Sequence, residues 1–450
     1  MGSRKSQLGD DLSPTARLLA LWDHLGIGVA HVATQMPGDI AGLAAGFPSR
    51  LGGIVLCVPT RLDPPSFGAV SDRLSMISGE GGLTAEVTAH AMARLAGARR
   101  VVLAGYDAPG WADVVADRTD AIAREMTGFL GRFKADTPSN ASREGTHAGI
   151  SYRIEGSGPA LALLPFFLAP SQWAPAMPQL ARMFTVITLG GPHLGGVAAL
   201  EDRARAPTYQ AMFRTLIDLM APAPGETVLD VGCGAGALDR LLARRLGSAS
   251  AITAIDTNPF LLSEAASLAR AEGLEGLIRF APGNAEALPL ADDSFDCIFS
   301  ITVLEECDAD RALAEMVRVA KPGGRVGVIV RSLDLPQWWS VAVPEAIHRK
   351  ITTPPQSVGA KGVADASLYR RARMAGLEDL TCFPSLVTLD RPDGPIWRYR
   401  EDHLLAQLTA EETTIWRTAR EAADRQGLLF MAHPMHCVVG HKPLRRRPKA

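Results

Sequence analysis

Two aspartates and three glycines set the chemistry open to this sequence. Asp230 closes a short apolar run within ETVLDVGCGAG (226–236), and Gly232, Gly234 and Gly236 follow at alternate positions. Asp256 ends a second apolar run, 251–255, about 20 residues past the glycines, where a carboxylate can accept both hydroxyls of a ribose. Glycines lack a Cβ and so let backbone N–H groups approach a ligand, while the start of a helix offers unpaired donors and a positive dipole end. The chemistry implied is the binding of a nucleotide-type ligand.

These residues need a strand, a turn and a helix to hold them. The β-branched run 227–231 predicts the strand, and ALDRLLARRL after Gly236 predicts the helix. A dinucleotide fingerprint reads G-x-G-x-x-G, whereas the third glycine here comes one residue early and an aspartate precedes the first. A third turn, Gly283-Asn284-Ala285-Glu286-Ala287-Leu288-Pro289, precedes another strand, SFDCIFS at 294–300. Together these features resemble a class I S-adenosyl-L-methionine (SAM) dependent methyltransferase, of the small-molecule group that includes the ubiquinone and menaquinone C-methyltransferases. Lys321-Pro322-Gly323-Gly324-Arg325, ahead of the strand 326–330, belongs to the same resemblance.

The resemblance implies that SAM lies against Asp230, Gly232, Cys233, Gly234, Gly236, Asp256, Thr257, Asn284, Ala285, Glu286 and Ser300. One departure stands out. The family usually carries an acidic residue at the position of Asn284, where it meets the adenine amino group; an asparagine carbonyl can still accept that hydrogen bond. Methyl transfer is a displacement at an activated sulfonium, so the main task is to hold a nucleophile near the methyl carbon without water. A base is needed only for acceptors that carry a proton, and the sequence assigns none. Residues 300–306 are expected to line the reaction centre, past the end of the fourth strand. Glu305 and Glu306 there either orient a substrate hydroxyl or begin a helix, where carboxylates suit the dipole. Trp338 and Trp339 either form a lid over a flat or apolar substrate or pack a loop.

Composition bounds the rest. The chain has 450 residues, enough for two or three domains. Its apolar share of 47%, charged share of 21% and net charge of −2 fit a globular protein with no global attraction to nucleic acid or anionic lipid. Six cysteines without C-x-x-C pairs argue against structural zinc and against a disulfide framework. His433, His436 and His441 show an H-x-x-H spacing, yet no helix presents them together, so no metal is expected. Neither a signal peptide nor a membrane-spanning run is visible, which leads us to expect a cytoplasmic protein with a small-molecule substrate, no nucleic-acid or membrane partner, and self-association left open.

Ahead of the glycine motif, residues 14–133 alternate short buried strands with helices, the pattern of a parallel sheet covered on both faces. LWDHLGIGVAHV, AAGFPSRLGGIVL and GARRVVLAG resemble the second half of an α/β-hydrolase. In that resemblance the nucleophile position is Met36, the acidic position about Gly82, and the histidine position Asp107 or Ala108. A thioether cannot be activated by a base, so no hydrolytic nucleophile exists. Residues 134–149 read as a polar linker, and 150–200, from SYRIEGSGPALALL onward, resemble a hydrolase first half whose oxyanion loop is Pro165-Phe166-Phe167.

The expected fold is therefore α/β: a Rossmann-like SAM methyltransferase sheet over 206–443 plus a degenerate hydrolase-like region over 14–133 and 150–200. Its halves are expected to form one permuted, inactive domain, with two unrelated fragments as the competing reading. The permuted reading requires the strand at 161–164 to lie parallel and adjacent to that at 31–33, and the domain to serve as a scaffold at a substrate entrance or an oligomer interface. The alternatives for the whole chain are a SAM-binding sensor, a SAM protein with non-methylating chemistry, and a bifunctional hydrolase and methyltransferase.

Overall fold

The computed structural model describes residues 12–106, 114–139, 142–166, 170–249, 251–354, 358–390, 392, 394–405 and 407–444. The chain divides into two compact units, Met1–Ala198 and Ala199–Ala450.

The first unit is built on an eight-stranded sheet. Its strands are β1 (Ala30–Thr34), β2 (Leu51–Cys57), β3 (Leu74–Gly79), β4 (Arg99–Leu103), β5 (Glu144–His147), β6 (Ile150–Gly156), β7 (Ala160–Leu163) and β8 (Thr185–Gly190). They are ordered β4-β3-β2-β1-β7-β8-β6-β5. All neighbours are parallel except around β6, which runs antiparallel to both β5 and β8. The central strands are apolar on both faces because both are covered. Val32, Ile54, Leu56 and Ala162 enter one core, and Ala33, Val55, Cys57 and Leu163 enter the other.

The decisive pairing is β1 with β7. His31, Val32 and Ala33 lie opposite Leu161, Ala162 and Leu163 in parallel register, the adjacency expected if the two halves complete one sheet. Met36 sits between β1 and the helix Gly38–Gly46 and donates its N–H to Thr34 Oγ1 at 2.9 Å. The nucleophile turn of a hydrolase is strained. Met36 is not one of the described non-glycine residues with positive φ, which are Val58, Ala148, Ala221, Asp293, Thr302 and Asp379. Gly82 begins the helix Gly82–Met92. Asp107, Ala108 and Phe167 lie outside the described residues, and Phe166 is buried with its ring edge on Trp173.

The segment expected as a linker, 134–149, contains a strand. β5 pairs with β6 from Glu144↔Arg153 to His147↔Ile150. As the last strand of the sheet it is largely exposed, so it needs no apolar alternation and left no periodic signal.

His31 is fully buried in this sheet, and its Nδ1 accepts the Gly53 N–H at 2.9 Å. Burial lowers its pKa from 6.5 to about 4. Protonation therefore favours the unfolded chain: the stability is whole above pH 6.5 and is lost as pH falls toward 4. Urea denaturation should show a loss of about 2 kcal/mol between pH 7.5 and pH 5. His31→Asn should lack that component, and equal slopes for the two proteins would count against the assignment.

The second unit carries β9 (Thr227–Val231), β10 (Ala251–Asp256), β11 (Ile278–Pro282), β12 (Phe295–Ile301), β13 (Ala320–Arg331), β14 (Trp338–Trp339), β15 (Glu378–Leu389) and β16 (Met431–His441). The order is β11-β10-β9-β12-β13-β16-β14, with β15 also on β16. β9 to β13 are parallel, and β16 enters antiparallel against β13. One face packs on the helix Pro207–Met220, whose Tyr209, Met212, Phe213, Leu216, Ile217 and Met220 are buried at helical spacing. The other packs on the helix Ala309–Val319, which Asp308 caps by accepting the Arg311 N–H. Among the described residues no helix is long and apolar enough to cross a membrane.

Candidate functional site

The residues of the expected cofactor site stand in the second unit at or just past the carboxyl ends of β9, β10, β11 and β12, and the strand order reverses between β9 and β12, where a crevice is expected in a sheet of this kind. The glycine turn is forced by backbone geometry. Gly232, Gly234 and Gly236 have φ of +87°, +55° and +70°, a region that side chains resist. Gly232 also has no room for a side chain, because a Cβ there would lie 2.2 Å from Val303 Cγ2.

The turn's N–H groups do not all face outward, contrary to the simplest expectation for a glycine loop. Gly232 and Cys233 both donate to Ile255 O, at 2.8 and 2.9 Å, and Gly236 donates to Cys233 O at 2.9 Å. Gly234 N–H goes to Asp256 Oδ2 at 2.9 Å, and Asp256 Oδ1 accepts the Asn258 N–H at 2.9 Å. Asp256 thus braces the turn. Each carboxylate oxygen retains a further lone pair, so a ribose hydroxyl can still be accepted.

Asp230 and Asp239 form a buried pair beneath the turn, at 4% and 0% exposure. Burial raises both pKa values; Asp239 and Asp256 push Asp230 further up, whereas Asp230 and the charge of Arg240 act to lower Asp239. No donor from another described residue reaches either Asp239 oxygen. Cys233, half-buried, is pushed up by burial and by Asp239, Asp230 and Asp256, so its thiol stays protonated. Three acids around one turn, with Asp239 short of partners among the described residues, suit a ligand that carries an ammonium and a sulfonium. SAM carries both, so the residues present fit it.

The remaining expected residues divide. Asn284 is exposed, and its Oδ1 accepts the Glu286 N–H at 2.9 Å, forming a local turn. Ala285 is buried, and Glu286 accepts the Asp308 N–H at 2.9 Å at the mouth of the helix Ala309–Val319. Thr257 is exposed beside Asp256. Ser300 is fully buried with its hydroxyl donating to Val231 O at 2.7 Å, so it ties β12 to β9 from within.

Neither glutamate at 305 or 306 begins a helix, since the next helix opens at Ala309. Glu305 is fully buried, and its Oε1 accepts the Arg331 N–H at 2.8 Å. Its Oε2 has no partner among the described residues, and burial raises its pKa. Around it stand Thr302, with φ of +58°, and Tyr209, fully buried under Arg203, whose guanidinium lies 5.0 Å from the ring centre. Trp339 is packed edge-on against Trp397 and Trp416 as core, while half-exposed Trp338 rests on Phe430. The pair therefore does not act as one lid. His436 bonds Tyr369 at 2.9 Å and Asp334 at 2.8 Å, and no metal-type cluster occurs among the described residues.

Residues 229–328 match the family model described as "Methyltransferase domain". The second unit carries a class I methyltransferase domain. The cofactor of this domain is SAM. The C-methyltransferase UbiE of ubiquinone and menaquinone biosynthesis from Legionella pneumophila strain Corby is 39% identical over 117 residues, which cover 26% of this chain and 47% of that protein. UbiE from Vibrio cholerae O395 is 37% identical over 131 residues, covering 29% and 50%. The chain thus spans about half the length of the curated relatives it matches. Among solved structures, the YcgJ protein of Bacillus subtilis is similar at TM-score 0.37 and 20% identity over 52% of this chain and 99% of that one. The cyclase SpnF is similar at 0.34 and 23%, over 52% and 81%.

Sequence reasoning missed Asp239, Arg240, Tyr209 and Arg331 in the methyltransferase domain. A signal existed for the first two, which are adjacent charges in the first turn of a helix that is otherwise apolar on its inner face. Arg240 is buried, bonded to Glu201 at 2.6 Å, Glu272 at 3.0 Å and the Ala235 carbonyl at 2.7 Å, so it holds the glycine turn from behind.

Proposed function

We propose that the protein transfers a methyl group from SAM to an oxygen or carbon atom of a small-molecule metabolite. The observation that carries this reading is the placement, on one carboxyl edge, of the braced glycine turn and a buried polar cluster of Tyr209, Thr302 and Glu305. SAM would be held by Asp230, Gly232, Cys233, Gly234, Gly236, Asp256, Thr257, Asn284, Ala285 and Glu286, with Ser300 positioning β9 from below. Bound SAM supplies an activated methyl group on a positively charged sulfur. Burial at the edge of β12 excludes water, and Glu305 Oε2 would accept the proton of a hydroxyl or enol acceptor, burial having raised its pKa and so made it a stronger base. The UbiE relatives methylate carbon by name, which favours a carbon acceptor over oxygen.

For the first unit we infer a permuted, catalytically silent hydrolase-like fold over 14–133 and 150–200. Its strand order and the β1–β7 pairing support this, and the thioether of Met36 at the nucleophile position supports the silence. The test is a mass-shift screen of metabolite extracts with methyl-labelled SAM, alongside p-nitrophenyl ester hydrolysis. The expected result is label on a small molecule, one S-adenosylhomocysteine (SAH) per product, and no ester turnover. Label only on protein or RNA would overturn the substrate class, and binding of SAM without consumption would turn the reading to a sensor.

A further inference from the structure

Two carboxyls meet in the interior beneath the glycine turn. Asp230 comes from the end of β9 and Asp239 from the first turn of the helix Ala237–Leu246, and the two side chains are within hydrogen-bonding reach of each other. Asp230 is 4% exposed and Asp239 fully buried. Neither Asp239 oxygen receives a donor from another described residue. Two carboxyls in contact out of water do not both ionise, because the second negative charge would meet the first with little solvent to screen it. Without an added cation, the pair holds a proton.

The charged groups packed around the pair do not replace that proton. β10 contributes a third acid, Asp256, which acts on Asp230 as Asp239 does. Arg240, next on the helix, is the cation that acts on Asp239, but its guanidinium is bonded to Glu201 at 2.6 Å and Glu272 at 3.0 Å, so two carboxylates already balance it. The Cys233 thiol in the turn feels all three aspartates and stays protonated. The helix Pro207–Met220 contributes Tyr209, a neutral phenol that feels Asp230, and Arg203 lies over its ring with its bond to Thr302. A cation brought beside such a pair lowers its hold on the proton. SAM differs from SAH by one positive charge, on sulfur, so the two ligands act on the pair unequally.

We propose that Asp230 and Asp239 form a proton-exchanging pair that distinguishes SAM from SAH: the pair keeps a proton in the cofactor-free and SAH-bound protein and yields it to solvent as SAM binds. A carboxyl O–H bond breaks, its electrons stay on the oxygen, and buffer takes the proton. Once the sulfur is neutral, the pair recovers a proton from solvent. The assignment rests on the methyltransferase reading above. Because proton release accompanies SAM binding, the preference for SAM over SAH grows as pH rises.

Calorimetry on the full chain at pH 6.5, in two buffers of different ionisation enthalpy, counts the protons released by each ligand. The α-amino groups of both ligands are already protonated there. SAM is expected to release roughly one proton more than SAH, and the ratio of the SAH Kd to the SAM Kd should rise at least about threefold between pH 6.0 and pH 7.0. In Asp239→Asn, a neutral replacement of the same shape, the difference in proton count should vanish and the ratio should become flat. A merely structural role for Asp239 would change both affinities and leave the proton count alone. Asp230→Asn is the second variant, with the same expected direction should Asp239→Asn not fold. Equal proton counts for SAM and SAH in wild type, or a difference that persists in a folded variant, overturns the proposal and leaves the methyltransferase reading standing. If neither ligand binds wild type, that reading fails and takes the proposal with it.

Discussion

Gly232→Ala is expected to weaken SAH binding by at least about 100-fold, whereas Gly234→Ala should cost about tenfold. Both glycines have positive φ, so the backbone penalty of about 1–2 kcal/mol is common to both. Space separates them. A Cβ on Gly232 would meet Val303 Cγ2 at 2.2 Å, Cγ1 at 3.0 Å and Cβ at 3.1 Å, so rotating the valine does not clear it. Nor can the chain at Val303 withdraw freely, because the Thr302 N–H is bonded to Ile329 O at 2.8 Å. Overpacking of this kind adds about 1–3 kcal/mol. At Gly234 the nearest atom is Leu200 Cδ1 at 3.5 Å, an ordinary contact. Calorimetry with SAH, supported by circular dichroism to confirm folding, reads both variants. Equal losses at the two positions would show that backbone conformation alone governs the turn.

The second large effect is expected at Arg240. Its side chain is 3% exposed against 6% for Glu201, so Arg240→Met leaves a buried carboxylate without its counter-charge. Breaking such a pair from one side costs about 3–5 kcal/mol. The same change frees the Ala235 carbonyl within the glycine turn, so SAH affinity should fall together with stability. Adding Glu201→Gln to Arg240→Met should recover part of the loss, because the stranded charge is then gone. Urea denaturation of the four proteins of the cycle measures the coupling. A loss under about 1 kcal/mol in Arg240→Met would mean that solvent reaches the pair and that it braces nothing.

What could be read directly from the sequence was local. Thr227–Val231, the alternate glycines and Asp256 were legible because a strand, a turn and a helix are specified by residues a few positions apart, and only one short βαβ connection separates the two aspartates. The pairing of β1 with β7 was legible for a different reason: the resemblance to a hydrolase makes those positions neighbours in one sheet, and each half alone would leave a strand edge unpaired. β5 was not, because an exposed edge strand has no face to bury and so no pattern to show.

Tertiary structure alone decided the partners. The Gly232 and Cys233 N–H groups turn inward to Ile255 O, and Asp256 is a brace as well as a candidate ligand, because β10 lies parallel beside β9 in the register Ala254↔Asp230. Asp239 meets Asp230 only once the helix Ala237–Leu246 folds back over the sheet. Arg331 and His433 stand far apart in the sequence, and no spacing rule links them. They reach one edge because β16 inserts antiparallel beside β13, and a strand's partner and register follow from competition among all the strands in the sheet. Local chemistry fixes where a turn can bind; which charges surround it depends on long-range pairing that sequence periodicity does not encode.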